Sequence, residues 1–268
     1  MPAKTSIRAL LEKGEFVWSP CIYDCVSARV VEMCGYNSML LSSCEMEYAM
    51  NGIPAGIANW EEYIWAVDRI AHSSNLPLIV DGEDGGGKPM LVYRNCKRMA
   101  EAGAMAISIE DTFSKGIHVD YTYASEQGVM DAELWATNVA AAVDACKGTD
   151  CMIIARSNVK GDGAPQTGAI SGVGKGLPID EAIRRLNMGI AAGAEITMMQ
   201  NICHADCEDE CRKIAAEVPG YRFYPDIHAT DGKSDVTLEE LQEWGFHLVS
   251  NHASMKGAMK GMLEYNMT

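Results

Sequence analysis

The chain has 268 residues, 48% hydrophobic and 22% charged, the composition of a globular protein rather than a disordered, collagenous or coiled-coil one. Lys and Arg number 22 against 37 Asp and Glu, a formal net charge of −15 that argues against nucleic acid or an anionic membrane as partner. No apolar run approaches the roughly 18–20 residues of a membrane span. The segment Met1 to Arg8 lacks the apolar core of a secretory signal, so the cytoplasm is the expected compartment.

In chain order, near-continuous apolar runs predict strands buried on both faces, and helical stretches separate them. A strand over 17–20 precedes a helix over 23–34, and a strand over 38–43 precedes a helix over 58–73. Strands over 77–81 and 104–110 are followed by helices over 88–102 and 131–146. Strands over 151–156, 195–200, 222–226 and 246–250 alternate with helices over 178–192, 204–217, 237–244 and 253–264. Pro178 and Thr237 suit helix starts. Gly35, Gly103, Gly193 and Gly245 each stand between a helix and the next strand, where a left-handed residue ends a helix. Eight such units predict a single-domain (β/α)8 barrel spanning 1–268. A doubly wound sheet would show a Gly-rich fingerprint after its first strand, and Cys21-Ile22-Tyr23-Asp24 stands there instead.

Two connections are unusually long, 112–130 and 160–176, and both leave the C-terminal ends of strands. Active-site loops of a barrel lie on that face, and long ones often close as lids. Gly116 and Gly128 would hinge the first, and Tyr121 and Tyr123 would cover a small anion. The second is equally readable as an unstructured insertion. Ten cysteines form no Cys-x-x-Cys pair. Cys203, Cys207 and Cys211 share one helical face beside His204, a spacing that suits either a soft-metal site or, as expected here, a buried face of small side chains.

Polar groups follow nearly every strand: Tyr23 and Asp24, Ser42 and Ser43, Asp81 with Glu83 and Asp84, Glu110 and Asp111, Arg156 and Asn158, Gln200 and Asn201, Asp226 and His228, Asn251 and His252. Carboxylates crowded at neighbouring strand ends repel one another and call for a cation. An all-oxygen set selects a hard ion such as Mg²⁺ or Mn²⁺. Arg156 ends the fifth strand, where its planar fork suits a substrate carboxylate or an internal salt bridge to Glu110 or Asp111. A metal and an Arg together suit a small carboxylate reacting through an enolate.

These residues also carry a resemblance. Asp24 with Ser27-Ala28-Arg29, Leu41-Ser42-Ser43-Cys44, Asp81-Gly82-Glu83-Asp84-Gly85-Gly86-Gly87, Ile109-Glu110-Asp111 and Ala155-Arg156-Ser157-Asn158 are similar, in order and spacing, to motifs of the isocitrate lyase/phosphoenolpyruvate mutase superfamily. The likeness extends over nearly the whole chain. It implies a Mg²⁺-dependent enzyme on 2-oxo or 2-hydroxy di- or tricarboxylates. It implies Asp81, Glu83 and Glu110 around the metal, some through water, and Arg156 on the substrate carboxylate. It implies substrate contacts at the Ser42, Ser43 and Cys44 backbone, and a homo-oligomer, dimer or tetramer, with exchange of a C-terminal helix in many members.

The chain also departs from the family pattern. The second metal Asp is Glu83, the aromatic of the Gly-aromatic-Gly turn is Gly86, and the Asp after Ala-Arg-Thr is Asn158. Gln200 and Asp226 replace the Glu and Asn of the lyases. The segment Thr112 to His118 lacks the lyase Lys-(Lys/Arg)-Cys-Gly-His loop, and the mutase Glu-Asp-Lys and Asn-Ser are missing as well. The expected activity is carbon–carbon cleavage: decarboxylation of an oxaloacetate-like acid or retro-aldol cleavage of a substituted malate. Tyr23, His118 and His228 are candidate acid–base groups beside Arg156, and Asp81, Gln200 and Asp226 candidate substrate contacts. Phosphonopyruvate chemistry and a non-catalytic carboxylate-binding remnant are the alternatives.

Overall fold

The computed structural model describes residues 5–52, 58–112, 129–160, 177–200, 202, 207–227, 229–230 and 233–267. The parallel strands are β1 (Val17–Ile22), β2 (Met39–Leu41), β3 (Leu78–Asp81), β4 (Ala104–Glu110), β5 (Met152–Ser157), β6 (Ile196–Met199) and β7 (Tyr221–Tyr224). A small antiparallel hairpin, β8 (Ala229–Thr230) with β9 (Lys233–Ser234), precedes the last barrel strand, β10 (Leu248–Asn251). The barrel closes in the order β1-β10-β7-β6-β5-β4-β3-β2. That is the expected (β/α)8 barrel, every expected strand being present within a few residues of its predicted ends.

The helices are α1 (Ile7–Glu12), α2 (Cys25–Met33), α3 (Ser43–Asn51), α4 (Trp60–Ser73), α5 (Pro89–Glu101), α6 (Ala132–Cys146), α7 (Ile179–Ala191), α8 (Cys207–Glu217), α9 (Leu238–Glu243) and α10 (Ser254–Asn266). Two of them are additions to the sequence reading. α1 presents Ile7, Leu10 and Leu11 to the interior side chains Val17, Leu40, Ile79 and Leu248 and so plugs the barrel. α3 begins where the sequence reading has only a turn, with Ser42 as N-cap accepting from the Glu45 amide. Thr237 forms a capping box with Glu240 at the start of α9.

Strand alternation sorts the side chains. On β3, Leu78 and Val80 pack outward against the helices while Ile79 faces the interior. The same alternation turns Asp81, Ser108, Glu110 and Arg156 inward at the C-terminal mouth. Cys211 is fully buried beside Ile214 and Leu241, the apolar-face reading of that cysteine. Cys203, His204 and the Cys207 side chain lie outside the described residues. The long connection after β4 is pinned at its neck, where Thr112 bridges Val129 and the Met130 amide donates to the Asp111 carbonyl at 2.7 Å. Residues 113–128 and 161–176 of the two expected loops lie outside the described residues, as do His118 and His228. Among the described residues no helix is long and apolar enough to cross a membrane.

Candidate active site

Asp81 ends β3 with both carboxylate oxygens engaged. Its Oδ2 accepts from Ser43 Oγ at 3.2 Å, and its Oδ1 accepts from Ser108 Oγ at 3.1 Å and Arg156 Nη1 at 3.0 Å. Tyr63, fully buried on α4, donates its hydroxyl to the Asp81 carbonyl. Glu110 ends β4 and is 2% exposed. Its Oε2 meets Arg156 Nη2 at 3.2 Å and accepts from Asn158 Nδ2 at 2.8 Å, and its Oε1 accepts from Thr112 Oγ1. Arg156 Nε donates to Asn158 Oδ1 at 3.4 Å. Burial alone would lower the Arg156 pKa, but Asp81, Glu110 and Glu83 outweigh it and raise it.

Of the two partners the sequence reading offered Arg156, the structure selects Glu110 and adds Asp81. Asp111 belongs to a separate structural knot. Its Oδ2 accepts from Ser157 Oγ at 2.7 Å and Arg185 Nη1 at 3.2 Å, and its Oδ1 from the Asn158 amide at 2.7 Å. Burial pushes its carboxyl pKa up despite these bonds. Arg185 also donates to the Met130 carbonyl at 2.9 Å, so the knot fixes β4, β5, α7 and the loop neck together.

The turn after β3 is built from glycine and one strained residue. Gly82 lies so close to β4 that an added Cβ would stand 2.5 Å from the Ser108 carbonyl oxygen. Gly82→Ala should therefore cost about 1–3 kcal/mol through overpacking, and an unchanged urea midpoint would refute that close approach. Glu83 adopts φ 48, the left-handed region where a non-glycine residue is strained. Its carbonyl accepts from the Glu110 amide at 2.9 Å, which ties the turn to the end of β4. Asp84 Oδ1 accepts from the Gly86 amide at 2.8 Å. At Gly86, φ 111, a Cβ would stand 3.0 Å from Leu91 Cβ and 3.1 Å from Asn95 Nδ2, so the aromatic of the family pattern has no room.

The remaining expected residues among those described stand at the C-terminal ends of other strands. The Ser42 amide donates to the Ile22 carbonyl at 3.1 Å and its hydroxyl caps α3. Ser43 and Cys44 occupy the first turn of α3, whose amides have no intrahelical acceptor and point out of the helix end. Tyr23 is half-buried after β1, with its amide donating to Ser27 Oγ at 3.1 Å. Gln200 follows β6, its amide bonded to the Ser157 carbonyl at 2.9 Å, and Asp226 is buried after β7. The sequence reading did not single out Glu45 or the contact of its Oε1 with His252 Nδ1 at 3.0 Å.

Asp81, Glu83 and Glu110 bring three formal negative charges to the mouth, and Arg156 answers with one positive charge. Among the described residues no three His, Cys, Asp or Glu side chains converge as a closed metal cage. The oxygen donors and the surplus negative charge fit a hydrated hard ion, held by one carboxylate and, through water, by the others.

Residues 7–267 match the family model described as phosphoenolpyruvate phosphomutase. The petal death protein of Dianthus caryophyllus is 32% identical over 253 residues, 92% of this chain and 72% of that relative. The oxaloacetate decarboxylase of Paraburkholderia xenovorans is 31% identical over 153 residues, 57% of this chain and 50% of its own length. The crystal structure of a 2,3-dimethylmalate lyase superposes with a TM-score of 0.78 at 23% identity, covering 97% of this chain and 84% of that one, which shows the shared fold.

Proposed function

The chain belongs to the phosphoenolpyruvate phosphomutase family, within the isocitrate lyase/phosphoenolpyruvate mutase superfamily, and from that premise we propose that it is a carbon–carbon lyase or decarboxylase. Its substrate is a 2-oxo or 2-hydroxy di- or tricarboxylate, of the oxaloacetate or substituted-malate kind, cleaved through an enolate. The observation that carries this reading is Arg156, held between Asp81 and Glu110 inside the mouth of the barrel. A guanidinium has five N–H donors. Those engaged on Asp81, Glu110 and Asn158 leave one N–H on each terminal nitrogen for a substrate carboxylate.

Asp81, Glu83 and Glu110 would hold Mg²⁺, or Mn²⁺ in its place. A divalent ion supplies Lewis-acid polarisation of a substrate oxygen when bound. The Ser43 and Cys44 amides at the start of α3 add donors and the positive end of a helix dipole for an anionic group. Gln200 and Asp226 are read as further substrate contacts, and Tyr23, His118 and His228 as acid–base candidates. The 2,3-dimethylmalate lyase and oxaloacetate decarboxylase relatives support this substrate class. The protein is read as a cytoplasmic homo-oligomer; α10, which buries none of its own side chains, supports the assembly.

The test is a turnover screen of oxaloacetate, substituted malates, methylisocitrate and phosphonopyruvate, with Mg²⁺ and with EDTA. Mg²⁺-dependent cleavage of a carboxylate is the expected result. Turnover of phosphonopyruvate alone would move the assignment to phosphorus–carbon chemistry. Oxalate binding without turnover of any of them would make the site a binding remnant.

A further inference from the structure

Across the mouth from Arg156, three side chains from distant parts of the sequence meet. Cys21 faces the interior near the end of β1, paired with Leu40 and hence one rung below Ser42. His252 follows β10, and its Nε2 lies 3.8 Å from Cys21 Sγ. Its Nδ1 lies 3.0 Å from Glu45 Oε1, on the first turn of α3. A carboxylate has no proton to give, so Nδ1 is the donor in that bond and Nε2 is turned to the sulfur. Glu45 is 9% exposed, and its Oε2 has no hydrogen-bond partner among the described residues. A carboxylate buried that way is costly unless a cation faces it, and His252 is the cation in contact.

We propose that Cys21, His252 and Glu45 form the acid unit of the site, with the Cys21 thiol protonating the enolate carbon and His252 resupplying the proton. The proposal rests on the enolate reading given above. The S–H bond breaks, and the enolate electron pair takes the proton to form the new C–H bond. The sulfur keeps the S–H electrons as a thiolate, which then receives the Nε2 proton of His252. The neutral imidazole regains a proton from water at its exposed edge. Glu45 is the positioning residue that fixes the ring.

A thiol, an imidazole and a carboxylate in line can also serve as a nucleophile with its base. The protonation states decide between the two roles. Burial pushes the Cys21 thiol up, away from the low value a nucleophile needs. The charge Cys21 carries as a thiolate raises the His252 pKa most, and the Cys21 and Glu45 bonds and the Asp226 charge raise it further, against the effect of burial. Among the described residues, the charged or titratable groups facing His252 are Cys21 from β1, Glu45 from α3 and Asp226 from the segment after β7. Both members of the pair thus carry protons at neutral pH, as a proton donor requires. Placement agrees: β10, β1 and β2 form the arc of the ring opposite β4 and β5, so Cys21, 1% exposed just below His252, lies across the ring from Arg156.

The test uses pyruvate as the probe, following exchange of its methyl protons in D2O by NMR with Mg²⁺ present. Cys21→Ala and Cys21→Ser should slow exchange roughly 10²–10⁴-fold, the usual range for a lost general acid. Oxalate affinity by calorimetry should stay within about twofold, separating lost proton transfer from lost binding or folding. Glu45→Gln keeps the shape of the side chain and should move the alkaline limb of the exchange profile to lower pH, a change that a packing role would not produce. Wild-type exchange with unchanged exchange in Cys21→Ala overturns the acid unit and leaves the enolate reading standing. A wild-type protein that exchanges no pyruvate and cleaves no carboxylate overturns the enolate reading, and the acid unit with it.

Discussion

Arg156→Gln will cut turnover about 10²–10³-fold and also weaken the metal-free fold. Asp81 and Glu110 are held on either side of its guanidinium, and Arg156 and Asp81 are each only 16% exposed. Removing the cation leaves two carboxylates facing each other with their desolvation uncompensated. Breaking a buried pair in that way costs about 3–5 kcal/mol. Urea unfolding in EDTA will show the loss, and Mg²⁺ will restore part of it by supplying a cation to the same carboxylates. Loss of an oriented donor to a developing anion typically costs about 10²–10³ in kcat. A variant with the wild-type midpoint in EDTA and wild-type kcat would remove Arg156 from both roles. Arg156→Lys separates them further: the charge remains, but the fork that reaches both carboxylates is lost.

The second large effect belongs to Asp111, which has no solvent exposure and no place in the proposed chemistry. Asp111→Ala takes one of two carboxylate partners from Arg185, itself 6% exposed, leaving it Glu181, and leaves the Ser157 hydroxyl and the Asn158 amide without their acceptor. The expected cost is again about 3–5 kcal/mol, read as a drop in the denaturation midpoint. The pH dependence has a definite sign. Burial raises the Asp111 pKa, so between the unfolded value of about 3.9 and the raised folded value the native state binds more protons than the unfolded one. Its contribution to stability therefore falls as pH rises through that window. Asp111→Asn removes the titration, and a stability profile with the wild-type slope there would show that another group sets it.

The barrel could be read from the chain because its information is local. Apolar runs such as Leu78-Ile79-Val80 and Ile153-Ile154-Ala155 can be buried on both faces only in a covered parallel sheet. The acidic strand ends could be read for the same reason, since strand alternation sends Asp81 and Glu110 inward without reference to the rest of the fold. α1 escaped because six residues carry too little of a helical period. α3 escaped because Ser42-Ser43-Cys44 suits a turn until Ser42 is seen capping the Glu45 amide. Cys21 and His252 are 231 positions apart, and only closure of the ring between β1 and β10 puts them together. The Arg156–Asp81 contact spans 75 positions and comes from the pairing of β4 between β3 and β5. Asn158 looked like a damaged motif; it bridges Glu110 and Arg156 through the two ends of one amide.

The neck of the connection after β4 has an evolutionary consequence. Thr112 and Val129 leave and rejoin the barrel as neighbours, and Asp111 and Arg185 hold Met130 from behind. The frame therefore closes on itself whatever stands between those two residues. A descendant of this gene could exchange or lengthen the segment 113–128 and acquire a new substrate preference while inheriting Asp81, Glu110 and Arg156 in unchanged positions. Loop closure grows costlier only slowly with length. The barrel thus works as a chassis with one interchangeable fitting, and diversification in this lineage should be recorded first in that segment.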